Sequence, residues 1–131
     1  MSSAGKVLVI DDDPDFLEFT RIILEAKGYS VVCAHNAEQG LSLMRAERPD
    51  VILLDILMSY AMEGLDVTRA MRKDPELRKI PLIVISAVLT DDSSLQSEDE
   101  EPLSILAFLT KPVEPDELLS LVAEAISPPE G

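Results

Sequence analysis

Acidic side chains stand where apolar stretches of this chain end. Asp11, Asp12 and Asp13 directly follow the run 7–10, and Asp55 ends the run "VILLD". Such carboxylates either cap the helix that comes next or hold something positively charged. Carboxylates that meet raise one another's pKa values and destabilise the fold unless a cation compensates them. Mg²⁺ is a suitable cation, because it takes oxygen ligands, commonly one or two carboxylates, and retains several waters.

Two more residues that can do chemistry follow apolar runs in the same way. Ser86 ends the run "PLIVIS", and Lys111 comes directly after "ILAFLT". A serine hydroxyl can hydrogen-bond an anion, and a lysine ammonium supplies a compact positive charge beside the carboxylates. These groups can act together only if the fold brings the ends of the four runs to one place.

The elements that must position these residues alternate between strands and helices. Strands are predicted at 7–10, 29–34, 51–55, 81–86 and 105–110, and helices at 16–26, 37–46, 65–73 and 114–127. The segment 93–100 is compatible with a short helix or with a partly disordered loop. Strands that are apolar throughout and separated by helices are typical of a parallel sheet covered on both faces. The sequence therefore predicts an α/β, flavodoxin-like fold with a doubly wound five-stranded parallel sheet of order 2-1-3-4-5. Ligands of such folds bind at the carboxyl ends of the strands, where the candidate residues lie.

Local signals place the ends of the first two helices. Asp13 suits the N-cap of a helix whose first position is Pro14, so we predict that it caps rather than binds metal. Gly28 is placed to end that helix, and Asn36 suits the N-cap of the second. The spacing of the apolar residues predicts an inward face on the first helix made of Phe16, Thr20, Ile23 and Leu24.

Composition limits the classes of function. The chain of 131 residues fits one domain, predicted at 6–127, and its 47% hydrophobic and 27% charged residues indicate a globular protein. The net charge of −14 disfavours binding to nucleic acid or to an anionic membrane. No apolar run approaches the roughly 20 residues that span a bilayer, and no signal peptide is visible. We expect a cytoplasmic protein in which the single cysteine, Cys33, is a buried small hydrophobe.

Four short motifs together resemble a known family. The set "VIDDDP", "LLDILM", "VISA" and "FLTKPV", in this order, is similar to the receiver domain of two-component response regulators, and it resembles the chemotaxis regulators among them. The resemblance extends from about Lys6 to about Ile126. It implies a phosphoacceptor domain that takes a phosphoryl group from a sensor histidine kinase or phosphotransfer protein and signals to an effector domain or downstream protein. Such a domain phosphorylates and dephosphorylates itself in the presence of Mg²⁺ and is not a metabolic enzyme.

The resemblance also implies a role for each candidate residue. Asp55 is implied as the phosphoacceptor. The implied metal ligands are Asp12, Asp11 (through a metal-bound water), Asp55 and the backbone carbonyl of Leu57. Ser86 and Lys111 are implied to contact the phosphoryl group, Ser86 and Phe108 to act as switch residues, and the peptide bond before Pro112 to be cis. Phosphoryl transfer needs positioning and charge neutralisation more than covalent help from the protein, which is what this set supplies.

The chain departs from the family pattern in two segments. Ser59 stands where the family has proline, and Gly64 follows Asp55 by nine positions, one more than usual. The segment 87–110 has no lysine or arginine and six acidic residues between Asp91 and Glu101. In the family, the face made by the fourth helix, the fifth strand and the fifth helix carries the signal to a partner. Because this face lacks basic residues apart from Lys111, we predict that it forms no dimer held by charge pairs.

Two alternatives stay open from the sequence. The first is a receiver-like interaction module that works without phosphorylation. The acidic pair, Asp55, Ser86 and Lys111 argue against it, and the unusual acidic segment keeps it open. The second is a small phosphatase with an aspartate nucleophile. Such enzymes need a second carboxylate two residues after the nucleophile, where this chain has Leu57.

Overall fold

Strands and helices alternate along the chain. The computed structural model describes residues 5–55, 63–86 and 104–126, with side chains of helix residues 63–66 left out. Its elements are β1 (Lys6–Ile10), α1 (Pro14–Glu25), β2 (Ser30–Ala34), α2 (Ala37–Glu47), β3 (Val51–Asp55), α3 (Glu63–Arg72), a 3-10 turn (Leu77–Lys79), β4 (Leu82–Ser86), β5 (Ile105–Thr110) and α4 (Pro115–Ile126). The short helix or loop at 93–100 and the loop with Leu57 and Ser59 lie outside the described residues.

The five strands form one parallel sheet. Their order is β2-β1-β3-β4-β5, and every adjacent pair is parallel, so the predicted topology is confirmed. The central strands β1, β3 and β4 carry almost no exposed surface, which explains why their sequences are apolar without alternation. All carboxyl ends of the strands consequently lie along the same edge of the sheet.

The core consists of two layers, one on each face of the sheet. Alternate strand residues such as Leu8 and Ile52 pack with Met44 of α2 and Met71 of α3. On the other face, their neighbours, such as Val9, pack with residues of α1 and α4, among them Leu17, Leu24, Leu118 and Val122. Helices therefore cover both faces, as the doubly wound prediction requires. None of the helices among the described residues has the length and apolar character needed to cross a bilayer.

The ends of the first two helices follow their capping residues. The Asp13 carboxylate accepts a hydrogen bond from the Asp15 amide, with Pro14 at the first helical position. Gly28, with a φ of 93°, lies in the left-handed region just beyond the helix, where glycine carries no steric penalty. Asn36 caps α2 by accepting from the Gln39 amide. These predictions are confirmed.

The buried stripe of α1 differs from the prediction. Leu17, Thr20 and Leu24 are buried, whereas Phe16 and Ile23 are only half-buried. The helix turns Leu17 onto the sheet, and this places Phe16 toward the edge where the strands end.

Cys33 is half-buried on the edge strand β2, not fully buried as predicted, because only β1 pairs with that strand. Partial burial still raises the pKa of its thiol, which disfavours the reactive thiolate.

Candidate functional site

The ends of β1, β3, β4 and β5 bring the predicted residues to one edge of the sheet. Asp11 follows β1, Asp55 ends β3, Ser86 ends β4 and Lys111 follows β5. The Lys111 amide donates a 2.8 Å hydrogen bond to the Ser86 carbonyl, so the sheet pairing continues past the end of β5. The backbone itself therefore fixes where the lysine side chain leaves the sheet.

Three carboxylates form a cluster at this edge. One carboxylate oxygen from each of Asp11, Asp12 and Asp55 lies within 4.8 Å of the others. Asp11 and Asp55 are only 1% and 4% exposed, and Asp12 is half-buried. The burial matters because water screens the repulsion between such charges poorly when they are removed from it.

Lys111 is the cation that balances part of this charge. Its Nζ lies 2.8 Å from Asp11 Oδ2 and 3.5 Å from Asp55 Oδ2. Burial by itself lowers the pKa of Lys111, but the hydrogen bond to Asp11 and the charges of Asp11 and Asp55 outweigh it, so the net effect raises the pKa. The lysine is therefore fully protonated at neutral pH and held toward the cluster.

Both oxygens of the Asp11 carboxylate are engaged. Oδ1 accepts a 2.9 Å hydrogen bond from the Asp13 amide, and Oδ2 faces the Lys111 ammonium. The Asp13 side chain is exposed and caps α1. Of the three consecutive acidic residues, two therefore face the cluster and one starts the helix, in agreement with the sequence prediction.

The cluster has the composition of a hard-cation site. Among the described residues, these three carboxylates face the ammonium of Lys111, and the acidic groups outnumber it. All of the side-chain donors are oxygens, the ligands that Mg²⁺ takes. The residues present therefore fit a magnesium ion held by Asp11, Asp12 and Asp55. The predicted contribution of the Leu57 carbonyl lies outside the described residues.

The remaining predicted residues lie around the cluster. Ser86 is fully buried at the end of β4, next in the sheet to β3 and Asp55. Phe108 pairs with Val84 across β5 and β4 and is half-buried against the core layer that includes α2 and α3. The peptide bond between Lys111 and Pro112 is cis, as the resemblance implied. The roles of these residues in phosphorylation stay predictions.

One contact at the site was missed by the sequence reasoning. The Lys111 Nζ lies 4.5 Å from the centroid of the Phe16 ring, a cation–π distance. The sequence reasoning placed Phe16 only on the buried face of α1. The available signal was its place in the first turn of the helix that starts beside Asp11 and Asp12.

This fold and site define the chain as a doubly wound α/β domain with an acidic cluster at the carboxyl edge of its sheet, and comparison with known proteins identifies its family. Residues 7–123 match the family described as the response regulator receiver domain. The chain belongs to this family, the receiver domains of two-component systems. The predicted domain limits, residues 6 and 127, lie slightly outside the matched range and stay predictions.

Several relatives cover nearly the whole chain. Protein PilH of Pseudomonas aeruginosa is 33% identical, and the match covers 90% of this chain and 94% of PilH. The polar-differentiation response regulator DivK of Brucella anthropi is also 33% identical, over 82% of this chain and 84% of DivK. The crystal structure of a CheY-like receiver domain protein from Methanospirillum hungatei has a TM-score of 0.76 and 30% identity, covering 92% of each chain.

Proposed function

We propose that this receiver domain accepts a phosphoryl group on Asp55 in a Mg²⁺-dependent reaction. The donor is a phosphohistidine on a sensor histidine kinase or phosphotransfer protein, and the phosphorylated domain signals to an effector domain or downstream protein in the cytoplasm. One observation carries the proposal. Three carboxylates lie within 4.8 Å of one another, and the Lys111 ammonium contacts two of them, 2.8 Å from Asp11 and 3.5 Å from Asp55.

Asp55 is the best-placed nucleophile of the three. It ends the central strand β3, and the strands that lead to Asp11 and to Ser86 flank it on either side. An Asp55 oxygen forms a bond to phosphorus as the bond from phosphorus to the donor nitrogen breaks, and the leaving imidazole takes up a proton. The product is an acyl phosphate on the protein.

The other residues reduce the repulsion between the attacking carboxylate and the anionic phosphoryl group. Lys111 supplies positive charge beside Asp55, and the buried hydroxyl of Ser86 can hydrogen-bond the phosphoryl oxygens once they are present. Asp11, Asp12 and Asp55 would hold Mg²⁺, which supplies further charge neutralisation of those oxygens. Ser86 and Phe108 then couple the new charge to a change of conformation, the switch that the resemblance implied.

Labelling with a small phosphodonor tests the proposal without a cognate kinase. The wild-type chain is incubated with phosphoramidate or acetyl phosphate in Mg²⁺ or in EDTA, and intact mass is measured over time. We expect one added phosphoryl group in Mg²⁺, almost none in EDTA, and none on Asp55→Asn. A folded wild type that takes no label in Mg²⁺ would favour the interaction module that works without phosphorylation.

The same preparation separates the domain from a phosphatase. A generic phosphate monoester is offered at high concentration, and release of inorganic phosphate is followed. We expect no turnover above the buffer control, because the domain is a self-phosphorylating and self-dephosphorylating signalling module and not a metabolic enzyme. Multiple turnovers that disappear in Asp55→Asn would contradict this and revive the aspartate phosphatase.

A further inference from the structure

Two carboxylates and one aromatic ring lie close to the Lys111 ammonium. Asp11 Oδ2 lies 2.8 Å from it, Asp55 Oδ2 lies 3.5 Å from it, and the Phe16 ring centroid lies 4.5 Å from it. The two carboxylates attract the ammonium toward the cluster. The negative face of an aromatic ring attracts the same cation without offering it a competing charge.

The position of the Phe16 ring is set by the site itself. The Asp13 amide is bonded to Asp11 Oδ1, and the Asp13 carboxylate caps the helix that carries Phe16 in its first turn. The carboxylate that holds the ammonium through one oxygen therefore fixes, through the other, the start of the helix that supplies the ring. The Lys111–Asp11 contact and the Lys111–Phe16 contact are thus connected through a short stretch of backbone, which fixes the position of the ring relative to the carboxylate.

Packing against the core alone does not explain the position of the Phe16 ring. Its ring is half-buried and contacts the core layer beneath α1, but Leu17, Thr20 and Leu24 make the buried stripe of that helix. The ring also lines an open cavity of about 460 Å³ together with Phe19, Lys111 and Pro112. The ring and the Lys111 side chain therefore lie side by side at the wall of this cavity.

We propose that Phe16 is a positioning residue for Lys111. The ring keeps the ammonium over the cluster, so that positive charge is already in place when the phosphoryl group arrives. Preorganised charge of this kind lowers the barrier because little has to reorganise during the reaction. The inference rests on the proposed phosphoacceptor function and adds to it a residue that acts through Lys111.

The expected size of the effect follows from the strength of such contacts. A cation–π contact that is partly exposed accounts for about a two- to fivefold change in rate when converted through the transition-state relation. Phe16→Leu keeps apolar bulk and removes the ring face, so it should slow phosphoramidate labelling by about this factor. Phe16→Tyr keeps the ring and should label at close to the wild-type rate, which a purely structural role for bulk would not predict.

Two readouts test the proposal, with Phe19→Leu as the matched control. Phe19 is the neighbouring aromatic on α1, with its ring centroid 6.5 Å from that of Phe16, and its side chain is 42% exposed. The first readout is the labelling rate. The second is the NMR shift of the Lys111 ε-methylene protons in the unphosphorylated protein, which a ring current moves upfield.

We expect upfield ε-proton shifts in the wild type, Phe16→Tyr and Phe19→Leu, and their loss in Phe16→Leu together with slower labelling. Wild-type labelling rates or unchanged ε-proton shifts in Phe16→Leu would overturn the proposal, and circular dichroism would verify that this variant is folded. A wild type that takes no label would instead overturn the proposed function, and it is distinguishable because the NMR readout does not require phosphorylation.

Discussion

The repulsion within the carboxylate cluster makes Asp55→Asn the most informative substitution. Asparagine has nearly the same shape as aspartate and can still hydrogen-bond, so the change removes charge with little effect on packing. We expect Asp55→Asn to be more stable than the wild type in EDTA. The proposed phosphoacceptor thus lowers the stability of the metal-free fold.

The magnitude follows from the distances at the site. Two unit charges 4.8 Å apart, the upper limit of the separations within the cluster, repel by about 0.9 kcal/mol in water and by about 3.5 kcal/mol at an effective dielectric constant of 20. Asp55 repels both Asp11 and Asp12. The attraction to Lys111 that the substitution loses is about 1.2 kcal/mol in water and about 4.7 kcal/mol at the effective dielectric constant of 20, for a distance of 3.5 Å. The difference predicts a gain of about 0.5–2 kcal/mol in the free energy of unfolding.

Urea denaturation followed by circular dichroism measures this difference, in EDTA and across a Mg²⁺ titration. A ligand that binds only the folded state adds about 2.7 kcal/mol at one hundred times its dissociation constant. Mg²⁺ should therefore stabilise the wild type more than Asp55→Asn. The difference in unfolding free energy between the two proteins should become smaller or change sign. A monovalent salt at equal ionic strength provides the screening control.

Two results would refute the reasoning. One is an Asp55→Asn protein that is less stable than the wild type in EDTA, which would mean that attraction to Lys111 dominates. The other is a wild type whose stability does not respond to Mg²⁺ beyond the response to salt alone.

Three further substitutions test other parts of the structure. Lys111→Met should cost about 3 kcal/mol in EDTA, because it leaves the buried carboxylates without their cation. Since the folded pKa of Lys111 is raised, this cost should be constant from neutral pH to about pH 10.4 and disappear as the pH rises through the folded pKa, as paired urea titrations would reveal. Thr20→Val should raise the unfolding free energy by about 1 kcal/mol, because the buried Thr20 hydroxyl has no hydrogen-bond partner in the described part of the chain; a destabilised variant would contradict this. Gly40→Ala should lower the unfolding free energy by about 1 kcal/mol despite better helix propensity, since its Cβ would stand 2.6 Å from Ile10 Cδ1. Ile10→Val removes the methyl group that the new Cβ would meet, so Gly40→Ala should cost less in an Ile10→Val background than in the wild type. Equal costs in the two backgrounds would contradict the explanation.

The sheet and most of the site could be predicted from the sequence, because both depend on the same physical signal. Strands such as Val51–Asp55 are buried on both faces and read as continuous apolar runs, and a parallel sheet then brings Asp11, Asp55 and Lys111 to one edge. Caps such as Asp13 and Asn36 act over two or three residues, so local sequence suffices for them.

Features that depend on tertiary contacts were not predicted. The helix α3 begins at Glu63, two residues before the predicted start, and the 3-10 turn Leu77–Lys79 was not predicted at all. The approach of the Phe16 ring to Lys111 joins positions far apart in the chain, and helical spacing alone placed Phe16 among core residues. Short elements and such contacts are set by packing, which overrides local preference.

The central claim is that Asp55, within a cluster balanced by Lys111 and Mg²⁺, is the residue that accepts the phosphoryl group. Borohydride reduction of the phosphoramidate-treated wild type converts an acyl phosphate of aspartate to homoserine, which peptide mass spectrometry locates in the sequence. The account predicts homoserine at position 55 alone, formed in Mg²⁺ and absent in EDTA. Homoserine at another aspartate, or equal labelling in EDTA, would contradict it.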